Sequence, residues 1–169
     1  MLPLRLSLAA QIEIPTTTIL MKKHLITAAL TAFLSLVAAA ATPEQEKAFV
    51  ESYKKALEGN DTKALAAFLS TDGASKDTVE FFTMMQAMGA GGKVSSIQLV
   101  VPSKEELAKY NTPMEMPDGK KYKMPFPPTK QLVVTIEEKS GDNSSKSTSK
   151  SAVGEKNGKL VIPVPVPVK

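Results

Sequence analysis

The chain has few of the residue types from which most active sites are built. It contains no cysteine and no tryptophan, and His24 and Arg5 are its only histidine and arginine. Beyond residue 24 there is therefore no residue for a cysteine nucleophile, a Ser–His–Asp triad or the usual zinc site. Disulfides are excluded as well. An enzyme built from this sequence would have to rely on aspartate, glutamate, tyrosine or lysine.

The first 41 residues differ in composition from the rest of the chain. Residues 1–20 contain two prolines and three consecutive threonines without a core pattern, and we interpret them as a non-native extension upstream of the true start, Met21. Two lysines follow Met21, then an apolar run over residues 25–37, then small alanines up to Ala41. This is the order of a secretory signal peptide, so the sequence predicts a signal over residues 21–41 and an exported bacterial protein, periplasmic or extracellular.

The alternative for the apolar run is a buried or membrane-spanning helix. The run is short for a span and no basic residue follows it, so we predict no membrane span in the mature chain, residues 42–169. Without the first 41 residues the formal net charge falls from +4 to about +2 and no arginine remains. Nucleic-acid binding favours clustered lysine and arginine with stacking aromatics, so no nucleic-acid partner is expected. The remaining length suits one domain.

The segment after the predicted signal has the start signals and periodicity of helices. Thr42 is an N-cap followed by Pro43 and, at the capping-box position, Gln45. Gly59 and Asn60 suit a left-handed turn, after which Asp61, and later Ser75, can cap two further helices, the last reaching Met88. The predicted buried residues are Phe49, Tyr53, Ala56 and Leu57 in the first helix, Leu65, Phe68 and Leu69 in the second, and Val79, Phe82 and Met85 in the third.

Two strands are predicted around a long insertion. Residues 93–101 and 131–138 alternate between apolar and polar, whereas residues 102–130 contain a capped helix from Ser103, a turn at 117–119 and several prolines. We interpret residues 102–130 as a surface excursion. The side chains predicted to face the core are Ile97, Leu99 and Val101 in the first strand and Leu132, Val134 and Ile136 in the second.

The last part of the chain combines a polar run with a strong hairpin signal. Residues 144–151, SSKSTSKS, fit either a linker or a polar strand. We favour the strand because a turn and Ala152–Val153 flank the run, and because Lys146 and Lys150 can then pair with Glu137 or Glu138 across strands. Asn157–Gly158 predicts a hairpin whose returning strand covers residues 159–162. The alternating prolines after it are compatible only with an edge strand or a polyproline segment.

This order of elements predicts an α+β fold, with two or three N-terminal helices packed on a curved antiparallel sheet of about four strands. The motifs FVESYKKALEGND and VGEKNGKLVIPV, at residues 49–61 and 153–164, resemble the nuclear transport factor 2-like (cystatin-like cone) superfamily. The resemblance implies an apolar pocket enclosed by the sheet and the helices. Some members of that superfamily use this pocket for acid–base chemistry, and others only bind ligands or partners.

The function expected from these observations is non-catalytic, as a binding or structural domain with an apolar pocket or partner surface. We predict that Tyr53, Phe49, Phe82 and Met85 contact the ligand, and we predict no catalytic residue, metal or cofactor. The alternative is a small isomerase or hydrolase-like enzyme, with Tyr53 as donor and Glu137 or Asp61 as base. The Met-, Pro- and Phe-rich excursion could instead bind a protein partner, and a homodimer is left open.

Overall fold

The computed structural model describes residues 41–116, 118–140 and 143–168. The predicted extension and most of the predicted signal peptide, residues 1–40, lie outside the described residues, as do Pro117, residues 141–142 and Lys169. The elements in chain order are α1 (Pro43–Glu58), α2 (Thr62–Ala66), β1 (Leu69–Ser70), α3 (Lys76–Ala87), β2 (Lys93–Val100), α4 (Lys104–Asn111), β3 (Met114–Glu115), β4 (Lys121–Lys123), β5 (Lys130–Ser140), β6 (Asn143–Lys156), β7 (Lys159–Pro163) and β8 (Val166–Pro167).

The helices begin at the predicted caps. The Thr42 hydroxyl accepts a hydrogen bond from the Gln45 N–H at 3.3 Å, and the Thr42 N–H donates to Oε1 of Gln45 at 2.8 Å. Ser103 forms the same reciprocal box at the start of α4. Each box satisfies a donor that the first helical turn leaves without a partner. In the turn after α1, the left-handed residue is Asn60, at φ 53°, while Gly59 is right-handed.

The fold is α+β, as predicted, but the sheet prediction needs correction. The main sheet is mixed and five-stranded, in the order β1-β7-β6-β5-β2, and β3, β4 and β8 form a second, three-stranded sheet. β1 pairs with β7 in parallel, through Leu69 opposite Ile162 and Ser70 opposite Pro163. A two-residue strand has no side-chain alternation to detect, which is why the sequence suggested about four antiparallel strands. α4 is a fourth helix, within the excursion.

The predicted core forms where α1 packs on the sheet. Leu132, Val134 and Ile136 of β5 are exposed by only 1, 3 and 5 %, which confirms their predicted orientation. They belong to one cluster with the buried residues of α1, Leu65 of α2 and the partly buried Phe68. The buried residues of α1 are Phe49, Tyr53, Ala56 and Leu57. The aromatic rings interlock edge to face, since the Phe68 ring lies 5.2 Å from those of Phe49 and Tyr53. Together these residues bury the apolar faces of α1 and α2 against the sheet.

Three details of the predicted helices and strands are wrong. α2 ends at Ala66, so Leu69 is buried as a strand residue and not as part of a helix. In α3 the buried residues are Thr78 and Gln86, while the predicted Met85 is 46 % exposed. Val101 lies beyond the end of β2 and is 71 % exposed. The reasons are local: α3 is covered on one side only, and β2 ends before Pro102.

The polar run is a strand, as predicted. β6 pairs with β5 along residues 143–153, and Lys146 lies opposite Glu137. The Asn157–Gly158 hairpin is confirmed by positive φ angles of 52° and 72°, the combination that a two-residue primed turn requires. The proline-rich tail supplies β8 at the edge of the second sheet, where Val166 pairs with Lys123. Among the described residues no helix combines the length and apolar character needed to cross a membrane.

Candidate functional site

A cavity of about 600 Å³ lies between α3, the sheet and the excursion. Its lining comes from six separate parts of the chain, which the fold brings together: α1, α3 with the turn after it, the excursion, β5, β6 and β7. The lining residues are Tyr53, Leu57, Phe81, Phe82, Met85, Gln86, Met88, Gly89, Tyr110, Met114, Met124, Val134, Ile136, residues 147–152, Ile162 and Pro163. Aromatic, methionine and branched aliphatic side chains make up most of this surface, which is the usual composition of a small-molecule or peptide pocket.

The wall contributed by α3 is aromatic and sulfur-rich. Phe81 and Phe82 contact each other edge to face at a centroid distance of 5.7 Å. Met85 and Met88 follow at the rim, exposed by 46 and 66 %. Methionine side chains are unbranched and polarisable, so they adapt to partners of different shape. Met85 and Met88 therefore form a solvent-exposed apolar surface whose side chains can change rotamer to fit a partner.

One hydrogen-bonded pair lies inside the apolar lining. The Tyr53 hydroxyl on α1 donates to Oε1 of Gln86 on α3, and both residues are buried. Burial raises the pKa of Tyr53 to about 12, because the phenolate would lose its hydration. The phenol therefore stays neutral at physiological pH. The pair ties α3 to α1 and gives the cavity one neutral polar group.

The structure brings three of the four predicted ligand-binding residues to the cavity. Tyr53, Phe82 and Met85 line it, whereas Phe49 lies one turn earlier on α1 and is buried against Phe68. The spacing of Phe49 and Tyr53 puts both on the same stripe of α1, but the stripe is longer than the cavity. The contribution of all four residues to ligand binding stays a prediction.

Sequence reasoning missed the most polar lining residues. Gln86 sits among apolar positions of α3, and a lone amide on an apolar helix face is a signal that could have been read as a hydrogen-bonding group. Tyr110 comes from the end of α4, and residues 147–152 come from the polar run of β6. Nothing in the local sequence of these two segments indicates that they meet.

The carboxylates proposed for acid–base work do not lie at the cavity. Asp61 caps α2, where its Oδ1 accepts a hydrogen bond from the Ala64 N–H at 2.9 Å. Glu137 lies in the sheet opposite Lys93 and Lys146. In the part of the chain that the structure describes, the cavity lining contains no aspartate or glutamate. The group facing Tyr53 is thus an amide that cannot act as a base at neutral pH.

A polar cluster that includes two of the lining residues, Lys150 and Tyr110, lies where α4 meets β5 and β6. Lys150 of β6 donates to Oε1 of Glu106 on α4 at 2.7 Å. Nearby, the amide of the buried Gln131 donates to the Tyr110 hydroxyl at 2.5 Å. The hydrogen bond from Lys150 lowers the pKa of Glu106 to about 2, helped by the Ser103 N–H. The same hydrogen bond raises the pKa of Lys150. These contacts hold α4 against β5 and β6.

The described residues contain no cluster of three or more histidine, cysteine, aspartate or glutamate side chains suited to a metal. Comparison of the chain with protein-family models, with curated proteins and with solved structures finds no match. The cavity is therefore interpreted from its own chemistry.

Proposed function

We propose that this chain is an exported, non-catalytic binding protein that holds an apolar ligand in the cavity between α3 and the sheet. The observation that carries the proposal is the cavity itself, about 600 Å³ of mostly apolar lining around one neutral polar pair. Pockets of this size and composition bury most of the surface of a small ligand. The hydroxyl of Tyr53 and the amide of Gln86 can orient a polar atom of that ligand.

The chemistry of the lining supports binding over catalysis. General acid–base work at neutral pH needs a group whose pKa lies near 7. The pKa of Tyr53 is moved away from that range, and its partner Gln86 does not titrate. Lys150, which also lines the cavity, has its pKa raised and is bound to Glu106. The alternative of an isomerase or hydrolase-like enzyme therefore lacks a base at the position that it requires.

The arrangement of elements supports membership of the nuclear transport factor 2-like superfamily as part of this proposal. Three helices precede the main meander, α1 packs across the sheet, and the cavity lies between helices and sheet. The VGEKNGKLVIPV motif forms the hairpin of β6 and β7.

Titration with an environment-sensitive apolar dye, 1-anilinonaphthalene-8-sulfonate, tests the cavity. The dye should bind the purified full chain and brighten. Met85→Glu places in the lining a charge of the same sign as the dye's sulfonate and should weaken the affinity about tenfold or more, equivalent to about 1.4 kcal/mol. Met84→Glu is the matched control for the added charge, because Met84 lies on the same helix, is 56 % exposed and does not line the cavity. Equal affinity of both variants, or no binding to the wild type, would contradict the proposal.

Native mass spectrometry tests export and the copurified ligand together. Protein recovered outside the cytoplasm should have the mass of a chain beginning near Thr42, because the small alanines before it suit signal peptidase. A second species should carry the added mass of a bound ligand. Recovery of the protein with residues 1–40 still attached would contradict export with cleavage, while leaving the binding proposal to the dye titration.

A further inference from the structure

β6 is open along most of one edge. Its residues 143–153 pair with β5, whereas β7 pairs only with Gly154, Glu155 and Lys156. Across the described ranges no strand is paired to the other edge of β6 before Gly154. Every second residue of this stretch therefore directs its backbone N–H and C=O away from β5. The open stretch could accommodate a further strand.

Two prolines explain why β7 leaves this edge open. The N–H groups of Ile162 and Val164 donate to β1 and its preceding residue, at 2.8 Å to the Phe68 carbonyl and 3.0 Å to that of Ser70. Because backbone groups alternate along a strand, residues 163 and 165 are the ones that would donate to β6. Both are prolines and have no N–H. The ladder between β6 and β7 consequently stops at the pair Gly154 and Val161.

The cavity runs along the open edge. Six consecutive residues of β6, 147–152, line it. A strand that showed only one face to a cavity would contribute alternate residues, so lining by consecutive residues means that the edge itself borders the space. Beyond this edge, Phe82 and Met85 of α3 form one wall, and Tyr110 and Met114 of the excursion contribute to the other. The space has the shape of a slot beside an unpaired strand.

We propose that the ligand of this cavity is a polypeptide segment in an extended conformation, which adds to β6 as an extra strand. This inference rests on the proposed function and names the ligand class. The backbone of the segment would bond to the open edge between residues 145 and 152. Its side chains would alternate between the α3 wall and the excursion wall, so affinity would come from the backbone and selectivity from the two walls.

The charges at the edge favour a partner with acidic flanks. Among the described lining residues Lys150 is the only charged one. Lys146 lies four residues earlier in β6, on the same face of the strand. Lys150 is already bonded to Glu106, but its ammonium has further donors, so a carboxylate next to the apolar core of an added strand would share Lys150 with Glu106 and lie near Lys146. A second copy of this chain fits less well, because pairing residues 144–152 with themselves would put Lys146 opposite Lys150 of the other copy, and like charges directly opposite are destabilising.

The apolar rim supports a peptide over a compact small molecule. Met85 and Met88 remain substantially exposed at the mouth of the slot. An extended segment that is longer than the cavity would cover this rim, and the flexible methionines would adjust to its side chains.

Hydrogen exchange with a defined probe tests the inference. The probe is a synthetic peptide with a core of alternating valine and phenylalanine residues and two aspartates at each end. The matched control is the same peptide N-methylated throughout its core, which keeps the side chains and removes the backbone donors. At saturating probe, the exchange rate of alternate amide hydrogens between residues 145 and 152 of the full chain should fall at least about tenfold. The methylated peptide should bind at least about tenfold more weakly than the unmodified one.

The outcomes separate this inference from the proposed function. A dye that binds while the peptide does not would overturn the peptide proposal and leave the apolar cavity standing. Peptide binding that leaves the exchange of the edge amides unchanged would also overturn it. Protection that appears without peptide and grows with protein concentration would identify a second copy as the occupant, against the proposal. Loss of both dye and peptide binding would refute the proposed function itself.

Discussion

The two halves of β6 have opposite environments although they belong to one strand. Ala152, Val153 and Gly154 are buried and lie where the strands on both sides meet, whereas residues 145–150 are exposed and paired on one side. The first group reads AVG and the second SKSTSK. Residues 145–153 pair with β5 in one continuous register, and Gly154 pairs with β7. The comparison teaches that strand formation here depends on the neighbour β5 and not on the apolar content of β6.

The small side chains of the open half have a direct effect on the cavity. Ser147, Ser149 and Ser151 lie opposite Ile136, Val134 and Leu132 of β5. A larger residue at these three positions would extend over the core face of β5 and fill space beside it. The serine run is therefore compatible with a cavity on that side, while Val153 at 0 % exposure closes the core on the paired side.

The largest expected effect on stability comes from truncating a core side chain of β5 that lies opposite β6. Leu132→Ala should lower the free energy of unfolding by about 2–5 kcal/mol, because a residue only 1 % exposed leaves a void. Thr148→Ala, in the exposed half, should change it by less than about 0.5 kcal/mol. Urea denaturation of both variants measures the difference. Similar losses at the two positions would show that the exposed half of β6 is as important to stability as the core of β5.

A smaller effect is expected where the open half is tied to α4. The pKa of Glu106 is about 2 in the fold, below its ordinary 4.5, so its hydrogen bond from Lys150 contributes stability above pH 4.5 that is lost as the pH falls toward 2. Glu106→Gln should flatten this part of the stability profile. Both groups reach solvent, so salt should reduce the difference. Denaturation midpoints between pH 2 and pH 6 measure it, and parallel profiles for wild type and variant would contradict the assignment.

Much of the fold was predictable because its signals are local. Capping boxes at Thr42 and Ser103, the alternation of Leu132, Val134 and Ile136, and the Asn157–Gly158 turn each act within a few residues. The bulge between Val94 and Ser96 changes which residues of β2 face the core, and so the alternation alone could not locate Val94 as its most buried side chain. The parallel pairing of β1 with β7 joins residues about 90 positions apart and has no local signature.

The candidate site was less predictable than the fold. Tyr53, Phe82 and Met85 could be named because apolar stripes on helices indicate which way those side chains face. Most of the other lining residues come from β5, β6, β7 and the excursion, and only the tertiary arrangement brings them near α3. The composition of the polar run fits a linker as well as the strand that we favoured, so its place in the wall of an apolar cavity could not be derived from it.

The open edge of β6 also has a consequence for aggregation. A row of unpaired backbone groups invites other chains to join the sheet, and natural proteins guard such edges with charged residues. Segments that form amyloid-like stacks are apolar, uncharged and strongly β-forming. The exposed half of β6 has lysines at 146 and 150 and no branched aliphatic residue among residues 145–150. Its composition thus lets the edge stay accessible to a selected partner while it discourages uncontrolled stacking of one molecule on the next.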